Sequence, residues 1–306
     1  MFLVSIIIAL LFTICSIFIN INWINNIACY WGYFLAIYLV TFIAIIPGFV
    51  YVFNFISLLF NKKDKKQCTK KDEDVTILIP VYNAEKSIKE TLKSIENQKY
   101  CGNIYINIID DGSTDGTLKL LRSMNLDSNT TIIEMPHSGK AYALNKGLEK
   151  VSTEYTITID GDTILHPLAV KNIMNKLRNS NKKTVATAGC LFIKNTKKSF
   201  ITKLQEWDYT LGIFGVKFVQ GNYNSILVAQ GAFSAYKTRV LKEVGGWENC
   251  VGEDIVLTWQ LLSKGYETNF AKNSIAYTEV PKNLKSLGKQ RKRWARGMIE
   301  AFKKVK

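Results

Sequence analysis

Tyr155-Thr156-Ile157-Thr158-Ile159-Asp160-Gly161-Asp162-Thr163 is the stretch around which the chain is organised. Its first five residues are β-branched or aromatic and read as a short strand. The strand runs straight into two carboxylates separated by one glycine. Such a pair can turn toward one point just beyond a strand end, where open α/β sheets hold their ligands. A hard divalent cation shared with a diphosphate suits that place, because Mg²⁺ takes one or two carboxylates plus phosphate oxygens. The same residues also read as a solvated turn, since Asp-Gly is common turn chemistry. The flanking sequence decides.

Upstream, Val75 to Ile79 reads as a buried strand ending in Pro80-Val81-Tyr82-Asn83-Ala84-Glu85. Asn83 is placed to cap a helix whose apolar residues Ile88, Leu92 and Ile95 fall at helical spacing. A second strand, Ile104 to Ile109, ends in Asp110-Asp111-Gly112-Ser113-Thr114-Asp115-Gly116. A third, Thr130 to Met135, leads to Pro136-His137-Ser138-Gly139-Lys140 and a helix through Lys150. Strand, polar loop and helix repeated in this way predict a parallel sheet with crossover helices. Every polar loop falls at a carboxyl end, which points to one nucleotide-like ligand held there.

Downstream, Pro167 to Arg178 reads as a helix and Val185 to Ile193 as a strand. Phe200 to Gln220, with Trp207, Tyr209, Phe214 and Phe218, is amphipathic and fits either a core-packed helix or a helix against a membrane face. Val228 to Ala235 reads as an apolar strand in which Gly231 marks a close approach. Glu253-Asp254 opens a helix, where acids are favourable on dipole grounds alone. Lys282 to Lys306 carries ten basic residues and one acid, Glu300, and by itself reads as a basic helix for an anionic surface.

The formal charge of +15 hides a division: residues 1–60 contain no Asp, Glu, Lys or Arg. Phe2 to about Ile19 is long enough to span a membrane, and a short uncharged connection precedes Tyr30 to Phe60. The second run exceeds the roughly 20 residues of one span and is interrupted by Pro47-Gly48, so it tilts, kinks or ends at the interface. Trp23, Tyr30, Trp31 and Tyr33 cluster near the connection, as interface aromatics do. A signal peptide is disfavoured because Met1 to Ser5 has no basic residue. Asn61-Lys62-Lys63-Asp64-Lys65-Lys66 follows the second run, which by the positive-inside rule puts the remainder in the cytoplasm. The expectation is a multi-pass plasma-membrane protein: residues 1–62 a two-helix anchor touching membrane lipids, and residues 63–306 one cytoplasmic α/β domain.

Other chemistries fail on their residues. Six scattered cysteines and two histidines make neither a zinc site nor a disulfide framework. An EF-hand from Asp111 would need Glu at Arg122. A P-loop ending at Gly139-Lys140 would need Gly at Glu134 and Ser or Thr at Ala141. No Gly-x-Gly-x-x-Gly follows the first strand. Nucleic acid is not the expected partner, because carboxylate-rich strand ends repel phosphate unless metal is present.

Taken together, the Ile-Pro-Val-Tyr-Asn-Ala-Glu start, the Asp-Asp-Gly-Ser-Thr-Asp-Gly loop, the Asp-Gly-Asp (DxD) turn and Gln290-Arg291-Lys292-Arg293-Trp294 resemble the family 2 glycosyltransferases with a GT-A fold. The resemblance covers residues 75–297, and Gln-x-x-Arg-Trp (QxxRW) is the mark of the processive members. It implies a Rossmann-like, mostly parallel sheet after two transmembrane helices. The nucleotide-sugar half would be residues 75–165 and the acceptor half 166–306. It implies a nucleotide-sugar site of Pro80, Tyr82, Glu85, Asp110, Asp111, Lys140, Asp160 and Gly161. Within it Tyr82, Glu85 and Asp111 lie around the uridine and Lys140 near the uracil or diphosphate. Asp160 and Asp162 would hold Mg²⁺ or Mn²⁺, Asp162 more directly. Asp254 would be the catalytic base, with Glu253, Gln290, Arg293 and Trp294 on the diphosphate and the acceptor sugar. Read from the residues alone, Tyr82 and Glu85 fit an ordinary polar strand-end loop equally well.

Within the family, Glu253-Asp254-Ile255-Val256-Leu257-Thr258-Trp259, Tyr277 to Pro281 and Arg293 to Gly297 most resemble the bacterial poly-β-1,6-N-acetylglucosamine synthases of biofilm matrix. The implied reaction is metal-dependent, inverting transfer from a UDP-sugar, first UDP-N-acetylglucosamine, to a growing glycan. The alternatives are transfer to a lipid-linked acceptor, a chitin-, hyaluronan- or cellulose-like polymer, and an inactive membrane-anchored scaffold. Such synthases usually continue into further transmembrane helices, whereas this chain stops at Lys306. The expectations are therefore a partner subunit supplying the channel, self-association, a truncated form, or transfer of one or a few sugars to a lipid.

Overall fold

The computed structural model describes residues 2–59 and 72–305. The chain divides into two compact units, Met1–Lys63 and Asp64–Lys306. The basic run Asn61 to Lys66 lies outside the described residues, as does the expected boundary beside it.

In the first unit, α1 (Phe2–Trp31) is followed by α2 (Tyr33–Val40), a π-helical stretch Thr41–Ile45 and α3 (Ile46–Leu59). Phe2–Trp31 and Tyr33–Leu59 are each long and apolar enough to cross a membrane, by length and composition. The expected uncharged connection after Ile19 is instead helix. Its asparagines do not break the helix, and Asn20 returns its amide to the Ser16 carbonyl at 2.7 Å. The chain turns only at Gly32, whose φ of 81° a residue with a Cβ rarely adopts. Small residues line the contact between the helices: Ser5, Ala9, Ala36 and Ser57 are buried, and a Cβ on Gly48 would stand 3.2 Å from the Phe12 ring. Close approach of this kind is how helices associate without a hydrophobic driving force.

In the second unit, β1 (Val75–Val81), β2 (Ile104–Asp111), β3 (Thr130–Met135) and β4 (Tyr155–Ile159) alternate with α4 (Ile88–Glu96), α5 (Thr117–Ser123) and α6 (Lys140–Glu149). There follow β5 (Ile164–Leu165), α7 (Ala169–Asn179), β6 (Thr184–Ile193), α8 (Phe200–Asp208), a π-helical stretch Tyr209–Gly215 and α9 (Val216–Asn222). The unit closes with β7 (Phe233–Lys237), α10 (Thr238–Glu243), α11 (Glu253–Ser263), β8 (Glu267–Thr278) and α12 (Leu284–Lys304). The eight strands form one sheet in the order β3-β2-β1-β4-β7-β6-β8-β5. The first four are parallel, and β7 runs antiparallel to both β4 and β6, so the sheet is mixed. Buried cores on its two faces explain why β1 and β4 are near-continuous apolar runs. The strand order reverses between β1 and β4, the topological switch at which α/β sheets bind ligands.

Two local expectations are corrected. Asn83 does not cap α4, whose N-cap is Ser87; it sits at φ 53° and its side-chain oxygen accepts from the Thr114 and Asp115 amides. Gly231 is not inside a strand, because residues 228–232 form a loop entering β7. The Phe200 to Gln220 stretch is core-packed on one side, as one of its two readings expects, and leaves an apolar row exposed on the other. Tyr209 is buried and Phe214 and Phe218 pack on the core, while Phe200, Leu204, Trp207 and Leu211 are exposed at helical spacing.

Candidate active site

The site begins at the Asp-Gly-Asp turn. Thr163 N donates to Asp160 O at 3.0 Å, closing the turn beyond β4. A Cβ on Gly161 would lie 3.0 Å from Val81 and 3.5 Å from Ala84, so the β1 loop packs directly on this glycine. Its carbonyl accepts from Ser87 Oγ at 2.9 Å and Thr91 Oγ1 at 3.1 Å, which pins the turn to the first turn of α4. Asp160 and Asp162 are thereby held on either side of a fixed point.

Lys140, the first residue of α6, reaches across to this turn. Its ammonium hydrogen-bonds Asp160 and lies 3.6 Å from Glu253 Oε1. Gly231 makes room for it, since a Cβ there would stand 2.8 Å from Nζ. The Gly231 amide donates to Asp254 Oδ2 at 3.1 Å, and Ile255 N donates to Oδ1 at 2.9 Å, orienting the Asp254 carboxylate. Thr258 completes the frame, donating to Asp254 O at 2.6 Å and accepting from Ala229 N at 2.9 Å. One ammonium thus stands between the acidic turn of the first half and the acidic helix start of the second.

The electrostatics follow from this crowding. Burial and the neighbouring Asp160 push the Asp162 carboxyl up to about 6. Burial likewise raises Glu253, opposed by Lys140 and reinforced by Asp254 and Asp160. Burial opposes the Lys140 charge, but Asp160, Glu253 and Asp254 outweigh it and hold the amine protonated above the ordinary lysine range. Among the described residues no three His, Cys, Asp or Glu side chains are grouped to hold a metal by themselves. Two crowded carboxylates fit a hard cation whose remaining ligands come from phosphate and water.

The strand-end loops place the other expected residues. Asp110 accepts from Ser113 N at 3.2 Å and Ser113 Oγ at 2.5 Å. Asp111, also buried, accepts from Ser138 N at 2.7 Å and Gly139 N at 3.0 Å, so its carboxylate caps the start of α6 from the neighbouring strand. Glu85 Oε2 accepts from Gly116 N at 3.2 Å, tying the β1 loop to the β2 loop. Tyr82 is 47% exposed and stacks on His137 with ring centroids 4.2 Å apart. Pro80 lies in β1 beside Ile109.

On α12, Arg293 is exposed, Trp294 packs against the core, and Gln290 Oε1 is buried without a partner. Arg291, which the motif reading passed over, stacks on Trp294 at 4.2 Å and pairs with Asp208. Tyr209 lies within electrostatic reach of Arg291 and Asp208 and also of Asp162 and Asp160, which relates α12 to the acidic turn. The helix docks through glycines: a Cβ on Gly252 would meet Gly297 Cα at 2.8 Å, and one on Gly297 would meet Val251 O at 2.9 Å. Gly252 also sits at φ 89°, immediately before Glu253 and Asp254. Gly297→Val is therefore expected to lower stability by about 1–3 kcal/mol through overpacking. Chemical denaturation checks this, and an unchanged midpoint would show that α12 docks without this contact.

A mixed α/β sheet with a carboxylate turn at its switch point and a second acidic pair facing it has the GT-A architecture of glycosyltransferases. The family described as Glycosyltransferase like family 2 matches residues 72–297, and the chain belongs to it. A poly-beta-1,6-N-acetyl-D-glucosamine synthase of Staphylococcus epidermidis is 30% identical over 286 residues, 91% of this chain and 66% of the relative. One of Staphylococcus aureus (strain COL) is 31% identical over 232 residues, 75% of this chain and 56% of the relative. The chain thus spans two thirds or less of the curated relatives it matches. Among solved structures, the mannosyltransferase PcManGT from Pyrobaculum calidifontis, in complex with GDP-Man and Mn²⁺, aligns with a TM-score of 0.67 at 22% identity, covering 83% of this chain and 70% of that one. S. aureus TarS 1-349 in complex with UDP-GlcNAc gives 0.50 at 17% identity, covering 69% and 59%. At these identities the likeness is one of fold. The expected family is borne out, as is the resemblance to the poly-N-acetylglucosamine synthases.

Proposed function

We propose that residues 63–306 transfer a sugar, first N-acetylglucosamine from UDP-N-acetylglucosamine, with inversion onto a hydroxyl of a growing membrane-associated polysaccharide. One observation carries the reading: Lys140 stands between Asp160 and Glu253, joining the two acidic elements over the carboxyl ends of the strands. The relatives named as poly-beta-1,6-N-acetyl-D-glucosamine synthases support the choice of sugar.

In this reading the acceptor oxygen attacks the anomeric carbon, the bond to UDP breaks on the opposite face, and the hydroxyl proton passes to Asp254. Its carboxylate is aimed by the amides of Gly231 and Ile255, which leave further lone-pair positions for that proton. Asp160 and Asp162 hold Mg²⁺ or Mn²⁺, which when bound supplies positive charge to the departing diphosphate. Lys140 and Arg293 add cationic charge, and Gln290 with Glu253 orients the diphosphate and acceptor. Trp294, braced by Arg291, offers its indole face to a sugar ring. Tyr82 and Glu85, with Pro80, Asp110, Asp111 and Gly161 behind them, shape the nucleotide end. Inversion is tested on the product: from an α-linked donor it must be cleaved by a β-N-acetylhexosaminidase, and a product only an α-specific enzyme cleaves would overturn it.

Residues 1–62 are proposed to anchor the chain in the plasma membrane by two spans, with the catalytic unit in the cytoplasm. The chain lacking residues 1–60 is then expected in the soluble fraction; its recovery with membranes would assign anchoring to the catalytic unit. The exposed row Phe200, Leu204, Trp207 and Leu211, with Trp207 70% exposed, is the apolar face that would then be responsible.

A further inference from the structure

We propose that Glu300 is a positioning residue for Asp254. Its carboxylate fixes the turn from which the base projects, and so sets the base in register with Trp294, which lies on α12 as Glu300 does. The inference rests on the readings of Asp254 as the base and of Trp294 as a platform for a sugar ring.

Asp254 is the second residue of α11, whose N-cap is Gly252 at φ 89° and ψ 38°. Glycine has no side chain to close the start of the helix, and in this left-handed conformation its flanking peptides reorient at little steric cost. The hold comes from another element. Val251 N donates to Glu300 Oε2 at 2.8 Å, across 49 positions in sequence. The second oxygen, Glu300 Oε1, accepts from Arg296 Nε at 2.6 Å, one turn earlier on α12. One carboxylate thus joins the surface of α12 to the backbone just ahead of the cap. The Gly252 carbonyl in turn accepts from Ile255 N at 3.0 Å and Val256 N at 3.1 Å. Whatever fixes the orientation of this turn therefore fixes the first turn of α11, from which Asp254 projects.

The surrounding contacts make the turn part of α12. Gly252 and Gly297 pack backbone to backbone, with no room for a Cβ on either. Lys304 Nζ pairs with Glu248 Oε2 at 2.5 Å, and Phe302 meets Trp259 edge to face with ring centroids 4.8 Å apart. Ala301 is buried in one apolar cluster with Ile255 and Val256. α12 is a single helix from Leu284 to Lys304, so Trp294 stands about 9 Å along the axis from Glu300. One rigid element therefore carries both the indole that would face a sugar ring and the carboxylate that holds the turn of the base. The Arg296 side chain is 70% exposed, so its pair with Glu300 contributes little, and the bond to Val251 N is the one the arrangement depends on.

The test is single-turnover transfer at saturating donor and metal, with equilibrium UDP binding, for wild type, Glu300→Ala and Glu300→Gln. The same changes are then made in an Asp254→Asn background. Glu300→Ala frees the turn, and transfer falls roughly 10- to 100-fold, the scale of a reacting group displaced by about 1 Å. Affinity for UDP is unchanged. Glu300→Gln keeps an acceptor for Val251 N and retains the wild-type rate within about twofold. In the Asp254→Asn background Glu300→Ala has no further effect, because the group it positions is already gone. A merely structural role would lower the rate by the same factor in both backgrounds, and that result overturns the inference. So does an unchanged rate in Glu300→Ala, a rate lost as fully in Glu300→Gln, or UDP affinity lost in parallel with rate. Retention of wild-type transfer by Asp254→Asn alone overturns the reading beneath it instead.

Discussion

Asp254→Asn is expected to lower the transfer rate by roughly 10²- to 10⁴-fold, the contribution of a positioned general base. The fold survives the change: an amide occupies the same space, and only one of the bonds from Gly231 and Ile255 must be given up, because one end of the amide cannot accept. That loss costs about 1 kcal/mol. In the proposed reading UDP and metal are held at Asp160 and Asp162, across Lys140 from Glu253 and Asp254, so nucleotide binding is expected to persist while turnover fails. Pre-steady-state transfer with equilibrium UDP binding on the same sample separates the two. Parallel loss of binding and rate would mean that Asp254 holds the site together instead of taking a proton.

The second large effect is expected at the acidic turn. Asp162→Asn removes the carboxylate proposed to contact the metal most directly, and transfer falls on the order of 10²- to 10³-fold as charge on the leaving diphosphate goes unmet. Nucleotide binding loses its response to Mg²⁺ or Mn²⁺, which calorimetric titration with and without chelator reads directly. Stability moves the other way. Folded Asp162 takes up its proton at about 6 instead of the ordinary 3.8, so its contribution favours folding in acid and is lost as pH rises between those values. An asparagine carries no such loss. The melting temperature of Asp162→Asn relative to wild type should therefore climb from pH 4 to pH 6 in metal-free buffer. A flat difference would mean that burial and the neighbouring Asp160 do not raise the Asp162 carboxyl in the folded protein.

The first half was legible because each of its signals is local. β1 to β4 are runs of Val, Ile and Thr, each ending in loop residues whose turn chemistry is unambiguous, and the Asp-Gly-Asp turn stands where β4 ends. Gly231 was legible as a close approach, but the partner was not, since Lys140 Nζ arrives from 91 positions away in sequence. Asp111 as a cap for α6 and the back-to-back contact of Gly252 with Gly297 are long-range in the same sense. The inward placement of Lys217, buried on α9, was hidden for another reason. The π-helical stretch Tyr209–Gly215 breaks the 3.6-residue period just before it, so an amphipathic reading carried through from Phe200 loses phase. At the N-terminus hydropathy alone could not distinguish an uncharged loop from an uncharged helix, and α1 ran on through Cys29 to Trp31.

The central claim is tested most directly by incorporation of label from UDP-N-acetylglucosamine by purified membranes carrying the protein, with Mg²⁺ or Mn²⁺ and after chelation, for wild type and Asp254→Asn. Metal-dependent incorporation into large, hexosaminidase-sensitive material, absent in the variant, is the predicted result. Label incorporated equally after chelation, or equally by Asp254→Asn, would contradict it.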